Sequence, residues 1–78
     1  MEDGTFDTDR RLVDIPQDTL KLALADMGFS KIKGSNQYVR GDISIFPSKN
    51  GTGTEILYMG PESHVEEFYE EIEKYKHQ

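Results

Sequence analysis

The densest chemistry in this sequence is a run of carboxylates near its end. Glu62, Glu66, Glu67, Glu70, Glu71 and Glu73 fall within twelve residues. Carboxylates can move protons, chelate metal ions or present negative charge to a basic partner. Proton work needs a sheltered pair whose pKa values are driven apart, and nothing in the spacing implies shelter. Calcium chelation through an EF-hand needs a D-x-D-x-D-G loop, which does not occur. Charge display is what remains. Helical spacing sets Glu66 against Glu70 and Glu67 against Glu71 at i,i+4, where like charges cost roughly 0.2–0.5 kcal/mol per pair. Only Lys74 and Lys76 accompany the six glutamates, so pairing along the helix cannot neutralise the row. The row has two readings. It is a solvated helix face, or it is a negative strip that fills a basic groove built for phosphates. The second reading assigns partner binding to all six glutamates.

Other chemistry-bearing residues point to less. His64 falls in the first turn of the last helix, where a positive charge is disfavoured, and His77 is next to the terminus. Both read as surface histidines, and no catalytic residue is assigned. With no cysteine, neither a disulfide framework nor a thiolate zinc site can form. No metal, cofactor or small-molecule substrate is expected. Gly51-Thr52-Gly53-Thr54 matches neither G-x-x-x-x-G-K-[ST] nor a G-x-G-x-x-G that opens a helix, so it reads as turn chemistry. Asn50-Gly51-Thr52 spells a glycosylation sequon, read as chance because nothing suggests secretion, and Arg40-Gly41-Asp42 spells an integrin-type tripeptide whose Gly and Asp a hairpin turn explains. Lys31, Lys33, Arg40 and Lys49, with Tyr38 and Phe46 nearby, could form a stacking platform for a single strand. A net charge of −6 works against it, because phosphate neutralisation supplies most nucleic-acid affinity.

The elements that must position these groups can be read along the chain. Its 78 residues suit one domain. Residues 1–14 are polar and acidic and read as a flexible arm, with Phe6, Leu12 and Val13 able to tack part of it down as a short edge strand. Residues 15–78 form a single α+β domain. Pro16 suits a helix start, Leu20, Ala23, Leu24 and Met27 share one helical face, and Gly28 suits a left-handed cap. The first helix therefore spans about residues 16–27. Residues 29–59 read as strands. Gly41-Asp42 is a tight hairpin turn that sets Arg40 opposite Ile43, Val39 opposite Ser44 and Tyr38 opposite Ile45. Pro47 ends that strand or lies at an edge. Residues 48–54 read as a loop, and residues 55–59 as the most apolar strand. Ser63 and Glu66 have capping-box spacing. Val65, Phe68, Tyr69, Ile72 and Tyr75 then make the buried stripe of a helix that runs to about Lys76.

The expected fold is helix, a three- or four-stranded antiparallel sheet, helix (αβββα-like), with both helices on one sheet face. Charge is unevenly spread over it. Residues 1–28 carry seven acidic and three basic side chains, residues 29–54 one and four, and residues 55–78 seven and two. No stretch approaches the roughly 18 apolar residues of a membrane span. The first twenty residues hold six acidic groups and no apolar run of signal length. A cytosolic location is the default expectation.

Leu20, Ala23-Leu24, Gly28-Phe29, Gly34-Ser35 before a strand at 37–40, and Ile43 to Pro47 together resemble the HicA-type toxins of toxin–antitoxin modules. The resemblance covers residues 20–47, about a third of the chain. It implies a double-stranded-RNA-binding-like αβββα fold and an RNA-binding set of Lys31, Lys33, Asn36 and Arg40. Asn36 stands where that family carries its catalytic histidine. An amide cannot take up a proton as imidazole does near neutral pH, so the resemblance implies an inactive nuclease.

Two functions follow as expectations. The first is a non-enzymatic acidic protein that blocks a basic, nucleic-acid-binding surface of a partner protein. It would be an inhibitor of the sort phage and mobile elements encode, anti-CRISPR-like or a nucleic-acid mimic. The alternative is a HicA-like RNA-binding or RNA-cleaving domain.

Overall fold

The structure is a computed structural model that describes residues 6–76. Residues 1–5 of the expected arm, and His77, lie outside the described residues. The chain runs β1 (Phe6–Val13), α1 (Gln17–Asp26), β2 (Ser30–Lys31), β3 (Tyr38–Arg40), β4 (Ile43–Asn50), β5 (Gly53–Pro61), one 3₁₀ turn (Glu62–His64) and α2 (Val65–Glu73). The strands form one antiparallel sheet in the order β1-β5-β4-β3-β2.

This corrects the expected fold. The sheet has five strands rather than three or four, and the fold opens on a strand, so it is not a helix–sheet–helix layer with both helices on a small sheet. The difference comes mostly from β1. Asp7, Asp9 and Arg11 alternate on its inward side, so no apolar period marks it as a strand. What makes it one is β5, which pairs with it over the full register from Phe6↔Pro61 to Val13↔Thr54. The buried Thr54 hydroxyl then donates to the Ile15 carbonyl at 2.7 Å, which holds the chain as it leaves β1.

Local chemistry explains α1 well. Its ends lie one residue inside the expected ones, with Pro16 at the N-cap and Met27 at the C-cap. Gly28 has φ +93°. Phe29 N–H donates to the Leu24 carbonyl at 2.9 Å and Gly28 N–H to that of Ala25 at 3.1 Å. That 6→1 and 5→2 pair is the Schellman termination, and it requires a left-handed residue where Gly28 stands. The Arg40 guanidinium adds a third partner, donating to the Met27 carbonyl at 2.7 Å. A cation is favoured at that negative helix end.

The β3–β4 hairpin has the expected register, Arg40↔Ile43, Val39↔Ser44 and Tyr38↔Ile45. Tyr38, Ile43 and Ile45 are all buried. Beyond Ile45, β4 has no β3 partner, and Pro47 stands on this locally open edge, where a missing N–H costs no ladder bond. The Pro47 carbonyl accepts from the Asn36 side-chain amide, and from Gln17 Nε2 at 3.1 Å. Residues 48–54 are less of a loop than expected. β4 extends to Asn50 and β5 begins at Gly53, leaving Gly51-Thr52 as a two-residue turn. Gly53 is needed for contact: a Cβ there would lie 2.5 Å from the Val13 carbonyl oxygen.

The core joins Leu20 and Leu24 of α1 and Val65, Phe68, Tyr69 and Ile72 of α2 to Val13, Tyr38, Ile43, Ile45, Ile56 and Tyr58 of the sheet. Phe68 sits at its centre, 5.6 Å from the Tyr58 ring and edge-on to Phe29 at 5.9 Å. No helix among the described residues is long and apolar enough to cross a membrane.

Candidate functional site

The site is built on α2. Val65, Phe68, Tyr69 and Ile72 are buried against the sheet, as their i, i+3, i+4, i+7 spacing requires. That burial fixes the rotation of the helix and turns its remaining positions outward. Glu66, Glu67, Glu70 and Glu73 are exposed, as is Glu62 in the preceding 3₁₀ turn, while Glu71 is half-buried.

The capping box does not form. α2 begins at Val65 with His64 at its N-cap and no side-chain cap, because the 3₁₀ turn occupies the residues that would have made it. Glu66 reaches across to β1 instead, accepting from Arg11 Nη2 at 2.8 Å. The Arg11 Nε also donates to Asp9 at 2.9 Å, and its guanidinium lies 4.3 Å from the Tyr69 ring centroid. The Glu66 hydrogen bond, opposed by partial burial and helped by Asp9, raises the Arg11 pKa. α2 also ends early, at Glu73 rather than near Lys76. Its last amides, those of Lys74, Tyr75 and Lys76, turn to carbonyls three residues back.

Neutralisation of the row is partial. Besides Arg11–Glu66, Lys74 Nζ lies 3.5 Å from Glu71, and His64 Nδ1, a cation only when protonated, lies 3.3 Å from Glu67. Glu62, Glu70 and Glu73 have no cation within 4.0 Å among the described residues. The three pairs involve well-exposed groups, and such pairs contribute roughly 0–1 kcal/mol. They do little to hold the carboxylates away from an incoming cation.

A cleft of about 320 Å³ opens beside this row, bordered by Asp26, Arg40, His64, Glu67, Glu71 and Tyr75. Tyr75 donates its hydroxyl to Asp26 at 2.6 Å, and that bond raises the Tyr75 pKa. Asp26 thereby extends the acidic face onto the end of α1. It lies 49 residues from Tyr75 in sequence, and no local spacing could have associated them. Arg11 was missed for the same reason. The described residues contain no group of three or more histidine or carboxylate side chains placed to hold a metal ion.

The alternative RNA-binding residues are not gathered into one patch. Arg40 is engaged at the C-terminal end of α1, where it also stacks 4.7 Å from the Phe29 ring centroid. Asn36 is engaged beside the N-terminal end, on the carbonyl it shares with Gln17. A ten-residue helix separates those ends by about 15 Å. Lys31 and Lys33 are exposed. The Gly51-Thr52 turn borders a groove of about 360 Å³ at the start of α1, which Lys49 and Asp18 also line. Asp18 opposes any anion there.

Comparison of the chain with protein-family models, with curated proteins and with solved structures finds no match.

Proposed function

We propose that this protein is a non-enzymatic acidic binder whose α2 face occupies a basic, nucleic-acid-binding surface on a partner protein. The observation that carries the reading is charge density on a rigid support. α2 bears five glutamates in nine residues, or one negative charge per roughly 2.7 Å of helix axis at 1.5 Å rise per residue. Duplex DNA carries one per about 1.7 Å and each of its strands one per about 3.4 Å. A groove shaped to neutralise phosphates meets a comparable line of charge here. The row also stands despite its cost: two like-charge i,i+4 pairs destabilise the helix by roughly 0.2–0.5 kcal/mol each, and lysines at those positions would have stabilised it. Inhibition by occupying a groove needs no chemistry from this chain.

The test is a pull-down from the native host with the wild-type protein and with a Glu66→Lys, Glu67→Lys, Glu70→Lys, Glu71→Lys variant. A basic protein should be captured by the wild type and not by the variant. Added duplex DNA or RNA should compete it off, and capture should weaken steeply with salt. Equal capture by both proteins, or capture that nucleic acid does not compete, would sink the proposal.

A further inference from the structure

The sheet face turned away from the helices carries an apolar surface that the α2 reading does not use. Side chains alternate across a sheet, and the burial of Ile43, Ile45, Ile56 and Tyr58 turns their neighbours outward. Phe6, Phe46, Leu57 and Met59 share this face of β1, β4 and β5 through the outward registers Phe6↔Pro61, Thr8↔Met59, Arg10↔Leu57 and Phe46↔Leu57, and Leu12, opposite Glu55, lies on it at the far end of β1. Phe6 is 63 % exposed, Leu12 64 % and Met59 42 %. Isolated exposed apolar residues are ordinary, whereas a contiguous patch marks an interaction surface.

We infer that this face joins a second copy of the chain, sheet to sheet, about a two-fold axis. Charge complementarity points to that occupant. Among the described residues, the only charged side chains on the β1–β5–β4 part of the face are Arg10 and Glu55, 3.9 Å apart on neighbouring strands. One cation beside one anion, set in an apolar field, is self-complementary: a two-fold lays each against its opposite on the other copy. The face is neutral while the molecule carries −6, so neither a polyanion nor a strongly charged protein is matched by it. Repulsion between copies does not prevent the contact. Packed sheets lie about 10 Å apart, with a helix layer roughly 10 Å beyond each. The two α2 rows would be about 30 Å apart, more than three Debye lengths at physiological salt.

The free edge of β1 is a poorer route. Asp7, Asp9, Arg10 and Arg11 crowd it with charge, a common defence of edge strands. Area sets the strength. Strands of eight and nine residues with β3 beside them give a footprint of roughly 450 Å² per copy. The total, about 900 Å², falls below the 1,200–2,000 Å² of standard interfaces. The dimer is therefore weak, with a dissociation constant on the order of 10–100 μM.

Sedimentation equilibrium between about 5 and 500 μM tests this on the full chain. The wild type should pass from monomer to dimer across that range. Met59→Glu should raise the dissociation constant at least tenfold. Leu22→Glu should leave it unchanged, since Leu22 is 74 % exposed but lies on α1. Arg10→Glu and Glu55→Arg should each be monomeric alone, and their equimolar mixture should dimerise. Circular dichroism verifies that each variant is folded. A wild type that stays monomeric at 500 μM overturns the inference. So does association that survives Met59→Glu, that is lost with Leu22→Glu, or that mixing the two charge variants fails to restore.

Discussion

Tyr69→Phe removes one oxygen, and the structure gives the sign of its effect. Tyr69 is 6 % exposed, and its hydroxyl is buried with no hydrogen-bond partner among the described residues. Burying a hydroxyl uncompensated costs roughly 1–3 kcal/mol in proteins. The rest of the residue's environment is indifferent to the oxygen. The ring stands edge-on to Phe68 at 5.1 Å and lies beneath the Arg11 guanidinium at 4.3 Å, and phenylalanine keeps both contacts. The substitution should therefore stabilise the fold by about 1–2 kcal/mol. For a domain of this size about 1 kcal/mol moves Tm by roughly 4–8 °C, so thermal unfolding followed by circular dichroism should show a rise of about 5–15 °C. Tyr58→Phe is the matched control. Its hydroxyl donates to the Pro61 carbonyl at 2.8 Å, and removing it should cost about 0.5–1.5 kcal/mol. The same atom deleted from two core tyrosines should thus move Tm in opposite directions. A fall in Tm for Tyr69→Phe as large as that for Tyr58→Phe would refute the reasoning, because the Tyr69 hydroxyl must then be satisfied.

Four further outcomes are expected. Alkaline pH should destabilise the fold through the same tyrosines: burial, followed by the charge of Asp7 for Tyr58 and Asp9 for Tyr69, raises both pKa values above the ordinary 10.0. The unfolded chain then loses protons that the native state keeps, so this stability is intact below about pH 10 and falls above it by up to about 1.4 kcal/mol per pH unit for each tyrosine; urea midpoints at pH 9, 10 and 11 should fall less steeply in Tyr69→Phe. Thr54→Val strands the Ile15 carbonyl that the Thr54 hydroxyl serves at 2.7 Å and should cost roughly 1–3 kcal/mol in chemical denaturation. Gly53→Ala drives a methyl group to 2.5 Å from the Val13 carbonyl oxygen and should cost about 1–3 kcal/mol, with amide exchange in β1 speeding up most. A double-mutant cycle on Arg11→Met and Glu66→Gln should give a coupling no larger than about 1 kcal/mol, since Glu66 is 78 % exposed.

The outcomes at α1 and β1 show what kinds of information the chain carries locally. The end of α1 was legible because a left-handed residue, an apolar stripe and a proline each act within a few positions, and Gly28 does what its type permits. The β3–β4 register was legible because a two-residue turn dictates which residues face each other. The inner stripe of α2 was legible by its period. β1 was only half legible. Of its apolar members only Val13 points into the core, and its other inward positions hold Asp7, Asp9 and Arg11, so its identity as a strand rests on β5, some fifty residues away. Ser63 and Glu66 had the right spacing for a capping box, but spacing cannot reveal that the backbone enters α2 through a 3₁₀ turn, or that Arg11 waits across the sheet.

The candidate site divides along the same line. The sequence by itself determined that the last helix is amphipathic and that six glutamates lie off its apolar stripe, because side-chain direction on a helix follows from position alone. Tertiary structure decided which of them are engaged, that Asp26 joins them, and that Arg40 caps the C-terminal end of α1 while Asn36 donates to the Pro47 carbonyl. It also decided that one sheet face is left uncovered, with Phe6, Leu12 and Met59 upon it. Each of these depends on residues far apart in the chain being brought within a few ångströms. No local rule of helix, strand or turn contains that distance, which only the assembled sheet and its core supply.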